Sequence, residues 1–403
     1  MFFKNVVTLL SGTFIAQIIP LAVAPLLSRM YLPSEFGQYG LFIALSAIGS
    51  ILFSLRLDFA VSQASTDREA VNLLTATLFL SAATAFIVST ALFVAILLGA
   101  HQVFFGESYS FFLMIMLFAL LQANMQSMVY FLNRSGRFSV TAKLKVMQGV
   151  FGAMGMLLYS FLDLNGLILG HFGGAFAAYL VVFTLEVKNH FKCLSWREVL
   201  SIGYENRVYP TFSLPGTLAN SVYLQAPLLF IEAMYEVIFV GFYTLINRYI
   251  TGPLSLLSVA SSQVLLKELV GASPSKAKAL VWRLVFVNSA MAIVYYAGCY
   301  LIGEDGIVLV FGEQWRGAYS VMLVLNISVC VRFVVSPLSV VLVNKSNVKL
   351  AAIWQFGSII VLMVFLYLFA GVGFVAFLER YVLIDMVLYL IYFLFILRGL
   401  ERY

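Results

Sequence analysis

Two arginines stand in the middle of apolar runs, each flanked by small hydroxyl residues at helical spacing. Thr244, Arg248, Thr251, Ser255, Ser258 and Ser262 follow at steps of four, three, four, three and four. Ser328, Arg332, Ser336 and Ser339 follow at four, four and three. Residues so spaced share one face of an α-helix. A charged side chain at the centre of a bilayer costs about 2.5–3.5 kcal/mol on insertion scales, so a mid-span arginine more often lines a wet cavity than faces lipid. A guanidinium keeps its proton and grips phosphate oxygens in pairs. The chemistry these stripes offer is recognition of an anion, with Arg248, Arg332, Thr244, Thr251 and Ser255 as the contacting groups.

Acids in the last apolar run bear on this reading. Glu379, Arg380 and Asp385 lie there, and Asp385 shares a face with Tyr381, Tyr389 and Tyr392. Either arginine is alternatively one half of a buried structural pair with such a carboxylate. Desolvation raises the proton affinity of a buried carboxylate, so Asp385, Glu379 and the adjacent Arg380 are candidates for coupling to Na+ or H+. The amino-terminal half is polar without a mid-span charge. It carries Gln17, then Ser46, Ser50 and Ser54, then Gln122, Gln126, Tyr130 and Asn133 on one helical face. Amides glue helices together and also hydrogen-bond sugar hydroxyls; Gln122, Gln126 and Asn220 are the candidates for such contact. Arg29, Arg56 and Asp58 fall at helix ends, where anchoring at the surface is the default. His101, His171 and His190 are scattered, and the sequence has no acid pair, nucleophile–base arrangement or phosphate-binding loop. Neither catalysis nor a bound metal or cofactor is expected.

The elements that must position these residues are membrane helices. Of 403 residues, 62% are apolar and 10% charged, with a mean hydropathy of +1.00; soluble domains carry about 25% charged residues. Apolar runs fall near 6–27, 38–55, 71–99, 109–132, 146–162, 166–187, 211–232, 237–262, 280–302, 318–343, 350–370 and 372–397. At about 20 residues per span, the chain has room for about twelve transmembrane helices and no soluble domain. The net charge of +6 does not point to nucleic acid, because the basic residues are spread over the connections as anchors to an anionic leaflet. Cys193, Cys299 and Cys330 have neither disulfide nor metal-site spacing. Ala22-Val23-Ala24 mimics a signal-peptidase site, but the apolar run is too long for a signal peptide and Pro25 follows directly, so the first helix is expected to be retained.

Alternate connections divide the basic residues nineteen to two. That bias places both termini in the cytoplasm. The outer connections are short and acidic, leaving no exposed domain in which to hold reacting groups. Sliding the sequence by 204 positions aligns Gly12 with Gly216, Thr13 with Thr217, Ala22 with Ala226, Met30 with Met234, Tyr31 with Tyr235, Gly37 with Gly241, Tyr39 with Tyr243 and Leu41 with Leu245. An offset of six helices gives copies of the same orientation, related by an axis along the membrane normal. The fold expected is all-α and polytopic, with an amino-terminal six-helix lobe (1–190), a cytoplasmic linker (191–210), a carboxy-terminal six-helix lobe (211–403) and a cavity between the lobes. Pro20 and Pro25 are expected to interrupt the first helix, and Pro215 and Pro227 the seventh. Pro25, Pro215, Pro227 and Pro253 are the hinge candidates.

The ordered set PLLSRMYLPSEFGQY (25–39), SLRLDFAV (54–61), NRSGRF (133–138), GLILG (166–170), YPTFSLPGTLANSVYLQAPLLF (209–230), VGFYTLINRYITGP (240–253), FGEQWRGAYSVM (311–322) and RFVVSPLSVVL (332–342) resembles the O-antigen and polysaccharide repeat-unit flippases. These belong to the multidrug/oligosaccharidyl-lipid/polysaccharide exporter superfamily. The resemblance covers nearly the whole chain. It implies two six-helix lobes in a bacterial inner membrane, and alternating access that turns an undecaprenyl-pyrophosphate-linked oligosaccharide from the cytoplasmic to the periplasmic leaflet. It also implies an ion gradient as driving force, a basic central cavity, and a polysaccharide polymerase with chain-length machinery as partners. Arg248 looks like the family's eighth-helix arginine. The amino-terminal half departs from the pattern in having no mid-span basic residue. Other readings of the same architecture are a multidrug or small-cation exporter, a membrane polysaccharide polymerase, or a scaffold for an assembly complex. Arginine-centred faces disfavour the cation exporter, and short outer loops the polymerase.

Overall fold

A computed structural model describes residues 2–96, 98, 109–160, 165–188, 194–269, 273–343, 347–369 and 371–401. Cys193, His101 and His190 lie outside them. Fourteen α-helices and no strand occur among the described residues. They are α1 (Phe2–Met30), α2 (Pro33–Ser54), α3 (Leu57–Gln63), α4 (Asp67–Ala95), α5 (Tyr109–Arg134), α6 (Phe138–Tyr159), α7 (Gly166–Val182), α8 (Trp196–Glu205), α9 (Leu214–Met234), α10 (Val237–Leu269), α11 (Pro274–Phe311), α12 (Ala318–Val335), α13 (Val348–Leu368) and α14 (Phe374–Leu400). Apart from the short α3 and α8, they follow the twelve apolar runs in order. Among the described residues eight helices are long and apolar enough to cross a membrane, and Phe14–Met30 and Ile353–Leu368 are shorter apolar stretches. Side chains such as Leu301 and Tyr367, 82% and 83% exposed, suit helices whose outer surface meets hydrocarbon rather than water. Water-type start signals occur in the connections: capping boxes of Thr66 with Glu69 and of Ser195 with Glu198 open α4 and α8.

The chain forms two compact units. Unit 1 comprises residues 1–23 and 41–222, and unit 2 residues 24–40 and 223–403. In unit 1, Phe42 stacks on Phe118 with ring centroids 4.8 Å apart, and Phe53 packs with Ala85, Ala119 and Ala123. Gly170 and Gly174 let α7 approach the backbone of α6 at Gly155 and Gly152, whereas Gly173 faces open space. In unit 2, Leu265, Leu269, Val281, Leu338, Val341 and Ile396 form a core.

Unit 2 also holds the end of α1 and the start of α2. Trp315, fully buried, donates from Nε1 to the carbonyl of Ser28 at 2.8 Å. Gln314 donates to the carbonyl of Tyr31 at 3.0 Å, and the Ser28 hydroxyl to the carbonyl of Phe311 at 3.0 Å. The starts of α2 and α10 cross closely. A Cβ at Gly37 would lie 2.5 Å from the Val237 carbonyl oxygen, and one at Gly241 only 1.8 Å from that of Pro33. Pro33 and Val237, like Gly37 and Gly241, are 204 positions apart. The crossing is therefore reciprocal, as a local two-fold contact between repeated segments requires.

The helices run on through the prolines expected to interrupt them. α1 is continuous past Pro20 and Pro25, and α9 past Pro227, because neighbouring groups in a bundle accommodate the missing hydrogen bond. The sharpest interruption lies instead at Gly303 in α11 (φ 68°, ψ 177°), a conformation open to glycine and strained for other residues. Pro215 follows a wide helical turn over Tyr209–Ser213.

Candidate functional site

The corner between α2 and α3 is unusual in its backbone. Leu55 and Arg56 have φ of 49° and 59°, a left-handed conformation rare in residues with a Cβ and typical of positions held by their surroundings for function. The Arg56 amide donates to Ser54 Oγ at 3.2 Å. This turn brings Arg56 and Asp58 to a cavity of about 420 Å³ within unit 1, lined also by Ser50, Ser54, Gln122, Gln126, Lys145, Gln148 and Thr217. The size falls among sites that take a small organic group, about 300–1,000 Å³.

Asp58 is 2% exposed, and its nearest cation is Arg56 Nη1 at 3.7 Å. Arg56 also lies over the Phe59 ring at 5.3 Å. Its Nε and Asp58 Oδ1 are buried without a hydrogen-bond partner. Burial pushes the Asp58 carboxyl above the ordinary range, and the downward pull of Arg56 and of hydrogen bonding from the Phe59 amide and Ser54 does not offset it.

A second polar cluster occupies unit 2. Arg332 of α12 donates from Nε and Nη2 to the two carboxylate oxygens of Asp385 on α14, at 2.8 and 2.7 Å. Asp385 is 1% exposed and accepts further from Tyr223 at 3.0 Å and from Ser328. Arg332 Nη2 also donates to Tyr381 at 2.7 Å, and its guanidinium lies 5.5 Å from the Tyr389 ring centroid. Every carboxylate oxygen is matched, as a buried pair must be to be tolerated.

Arg248 is placed differently. It donates to Tyr39 at 3.2 Å and lies 6.0 Å from that ring centroid. Among the described residues no acid lies within ion-pair distance of it. In its stripe, Thr244 is packed against Gly40 with its hydroxyl oxygen buried and unpartnered. Thr251 and Ser255 donate to carbonyls of their own helix, at Asn247 and Gly252.

The structure thus joins Arg332 to Asp385, the structural pairing considered from sequence, and brings Gln122 and Gln126 to one cavity. It leaves Glu379, Arg380 and Asn220 on exposed faces, with Arg380 over the Phe369 ring at 5.0 Å. Neither Glu379 nor Arg380 joins Asp385. Surface anchoring does not describe Arg56 and Asp58, because the left-handed corner turns them inward. The amino-terminal unit is therefore not without cavity cations: Arg56 and Lys145 supply them. Sequence reasoning missed these two, Asp58, Gln148 and Thr217; the signal was the Leu-Arg-Leu-Asp step directly after the Ser46–Ser50–Ser54 face.

The profile of a polysaccharide biosynthesis protein family matches residues 2–266. No curated protein sequence matches the chain. Among solved structures, the lipid II flippase MurJ in an inward closed conformation is similar over 98% of this chain and 87% of that one, with a TM-score of 0.68 at 12% identity. An outward-facing multidrug resistance MATE family transporter of the MOP superfamily is similar over 99% and 96%, with a TM-score of 0.61 at 14% identity. A MOP superfamily transporter from Pyrococcus furiosus is similar over 99% and 96%, with a TM-score of 0.59 at 13% identity. At these identities the likeness is one of fold.

Proposed function

The chain belongs to this polysaccharide biosynthesis protein family, and on that premise we propose that it is a flippase for lipid-linked glycan. The cargo is an undecaprenyl-pyrophosphate-linked oligosaccharide, an O-antigen or related repeat unit, turned from the cytoplasmic to the periplasmic leaflet of a bacterial inner membrane. Alternating access driven by an ion gradient moves it, and a polymerase with its chain-length machinery takes up the product. The observation that carries the reading is the unit 1 cavity, where Arg56, Lys145 and three glutamines line a space inside an otherwise apolar membrane protein. Cations suit a pyrophosphate, and amides suit sugar hydroxyls. Such a groove lowers the barrier for the charged head while the isoprenoid tail stays in lipid. The cation surplus disfavours export of cationic drugs.

Arg248 in unit 2, held by a tyrosine and by no described acid, is a further cation that can meet an anion. Reconstituted protein assayed for flipping of a fluorescent lipid-linked pyrophosphate oligosaccharide tests the proposal. Arg248→Ala is expected to lose ~tenfold or more, the loss of one charge-assisted hydrogen bond of about 1.5–3 kcal/mol. Arg248→Lys is expected to recover part of it. Flipping by Arg248→Ala at the unsubstituted rate would reduce this residue to packing, and no flipping by the unsubstituted protein would overturn the function.

A further inference from the structure

Two buried aspartates stand in opposite electrostatic positions. Asp385 accepts two hydrogen bonds from Arg332 and one each from Tyr223 and Ser328. Its charge is matched, and nothing about it asks for a ligand. Asp58 is as deeply buried, yet its cation stands off at 3.7 Å. Asp58 Oδ1 and Arg56 Nε are both unpartnered, and both residues line the same cavity. A buried polar atom left without a partner is costly to keep. The left-handed backbone at Leu55 and Arg56 adds strain at the same place. Costs of this kind persist where a bound group relieves them.

The charges decide which group. The cavity presents Arg56 from the α2–α3 corner, Lys145 from α6 and Asp58 from α3. Of the other charged and titratable groups nearby, Arg134 of α5 is engaged with Asp67 at 2.7 Å and with the Ala64 carbonyl, and Lys143 of α6 is exposed. Tyr130 and Tyr209 reach the region through the Phe59 ring. With Asp58 ionised, Arg56 faces a carboxylate across the cavity wall. With Asp58 protonated, Arg56 has lost that counter-charge, which suits an anion in the carboxylate's place.

We propose that Arg56 and Asp58 form an anion-exchange subsite: the phosphate-ester head of the cargo takes Arg56 from Asp58, and Asp58 takes up one proton from the bulk solvent. Asp58 is the site's own stand-in for the cargo anion, keeping Arg56 charged-matched when no cargo is bound. The proposal rests on the transport reading and adds proton linkage to it. Its sign follows from the geometry. The Asp58 carboxyl already titrates above the ordinary range because it is buried, and losing Arg56 raises it further. Protonation therefore favours the anion, and binding tightens as pH falls.

Sulfate, a tetrahedral dianion that does not titrate near neutrality, is the probe, with pyrophosphate as a second. Calorimetric titration of the full chain in lipid nanodiscs is expected to show affinity for sulfate falling with rising pH, approaching ~tenfold per pH unit for one linked proton. Asp58→Asn is expected to bind sulfate tightly and with a flat pH profile; Asp58→Ser serves the same purpose if the amide does not fold. Arg56→Gln is expected to weaken sulfate ~tenfold or more at every pH. Sulfate affinity independent of pH in the unsubstituted protein, or weaker in both Asp58 variants, would overturn the exchange. Sulfate binding as expected in a protein that flips no lipid-linked glycan would leave the subsite standing and remove the transport reading. Flipping with pH-independent sulfate binding would do the reverse.

Discussion

Arg332 and Arg248 occupy equivalent-looking stripes and have different fates. Asp385 accepts from two nitrogens of Arg332, so truncating either partner leaves an uncompensated buried charge, which costs about 3–5 kcal/mol. Arg332→Ala and Asp385→Ala are each expected to lower stability by that amount in detergent melts. The combined Arg332→Met and Asp385→Leu is expected to cost less than either single change, because no charge is then left behind. A double substitution as costly as the sum of the singles would show that the two do not act as a pair. The arginine was legible from spacing, since a polar face in an apolar helix needs no tertiary information. Its partner was legible only as one of three charged residues in the last run, because which face of α14 meets α12 is set by packing. Arg56 was legible only through the step that follows the serine face: a charge at a helix end reads as an anchor, and two left-handed residues make it a cavity wall.

Among the helices, the crossing of α2 and α10 is the tightest contact with a two-fold pattern. A methyl at Gly241 would meet the Pro33 carbonyl oxygen at 1.8 Å, and no flexible side chain is there to yield. Gly241→Ala is expected to destabilise by about 1–3 kcal/mol through forced backbone displacement. Gly357 in α13 has nothing within 4 Å of the same position. Gly357→Ala is expected to stabilise by about 0.5–1 kcal/mol, since only the entropy of the unfolded glycine changes. Melting temperatures of the two variants moving in the same direction would remove the steric account. The helices themselves were legible from apolar run length, and the 204-residue offset paired Gly37 with Gly241. That the paired residues touch was not, since a repeat relates positions without saying which of them lie on the axis. The break at Gly303 falls directly after the apolar run 280–302, so its place was legible from run length, while its left-handed backbone was not.

Across the whole chain, residues 24–40 belong with 223–403, although they are joined at both ends to helices of unit 1. α1, α2 and α9 therefore each contribute to both units, and Pro25 lies just past the boundary in α1. What holds this segment to unit 2 is a cluster far away in sequence. Trp315 donates to Ser28, packs edge-on to Phe36 with centroids 5.1 Å apart, and lies 5.8 Å from Phe242. Burial of so large a ring contributes by area, and its indole hydrogen bond satisfies a helix-end carbonyl that has lost its intrahelical donor. Trp315→Ala removes both, at an expected cost of about 3–5 kcal/mol. Because the contact joins segments 287 positions apart, the loss is expected to be local before it is global. A cysteine substituted at Ser28, a fully buried position, should resist maleimide in the otherwise unchanged protein and react readily when Trp315→Ala is added, at temperatures below the melt. Unchanged labelling would mean that the remaining contacts, among them the Gly37–Gly241 crossing and the Gln314–Tyr31 and Arg248–Tyr39 hydrogen bonds, keep residues 24–40 in unit 2 without Trp315.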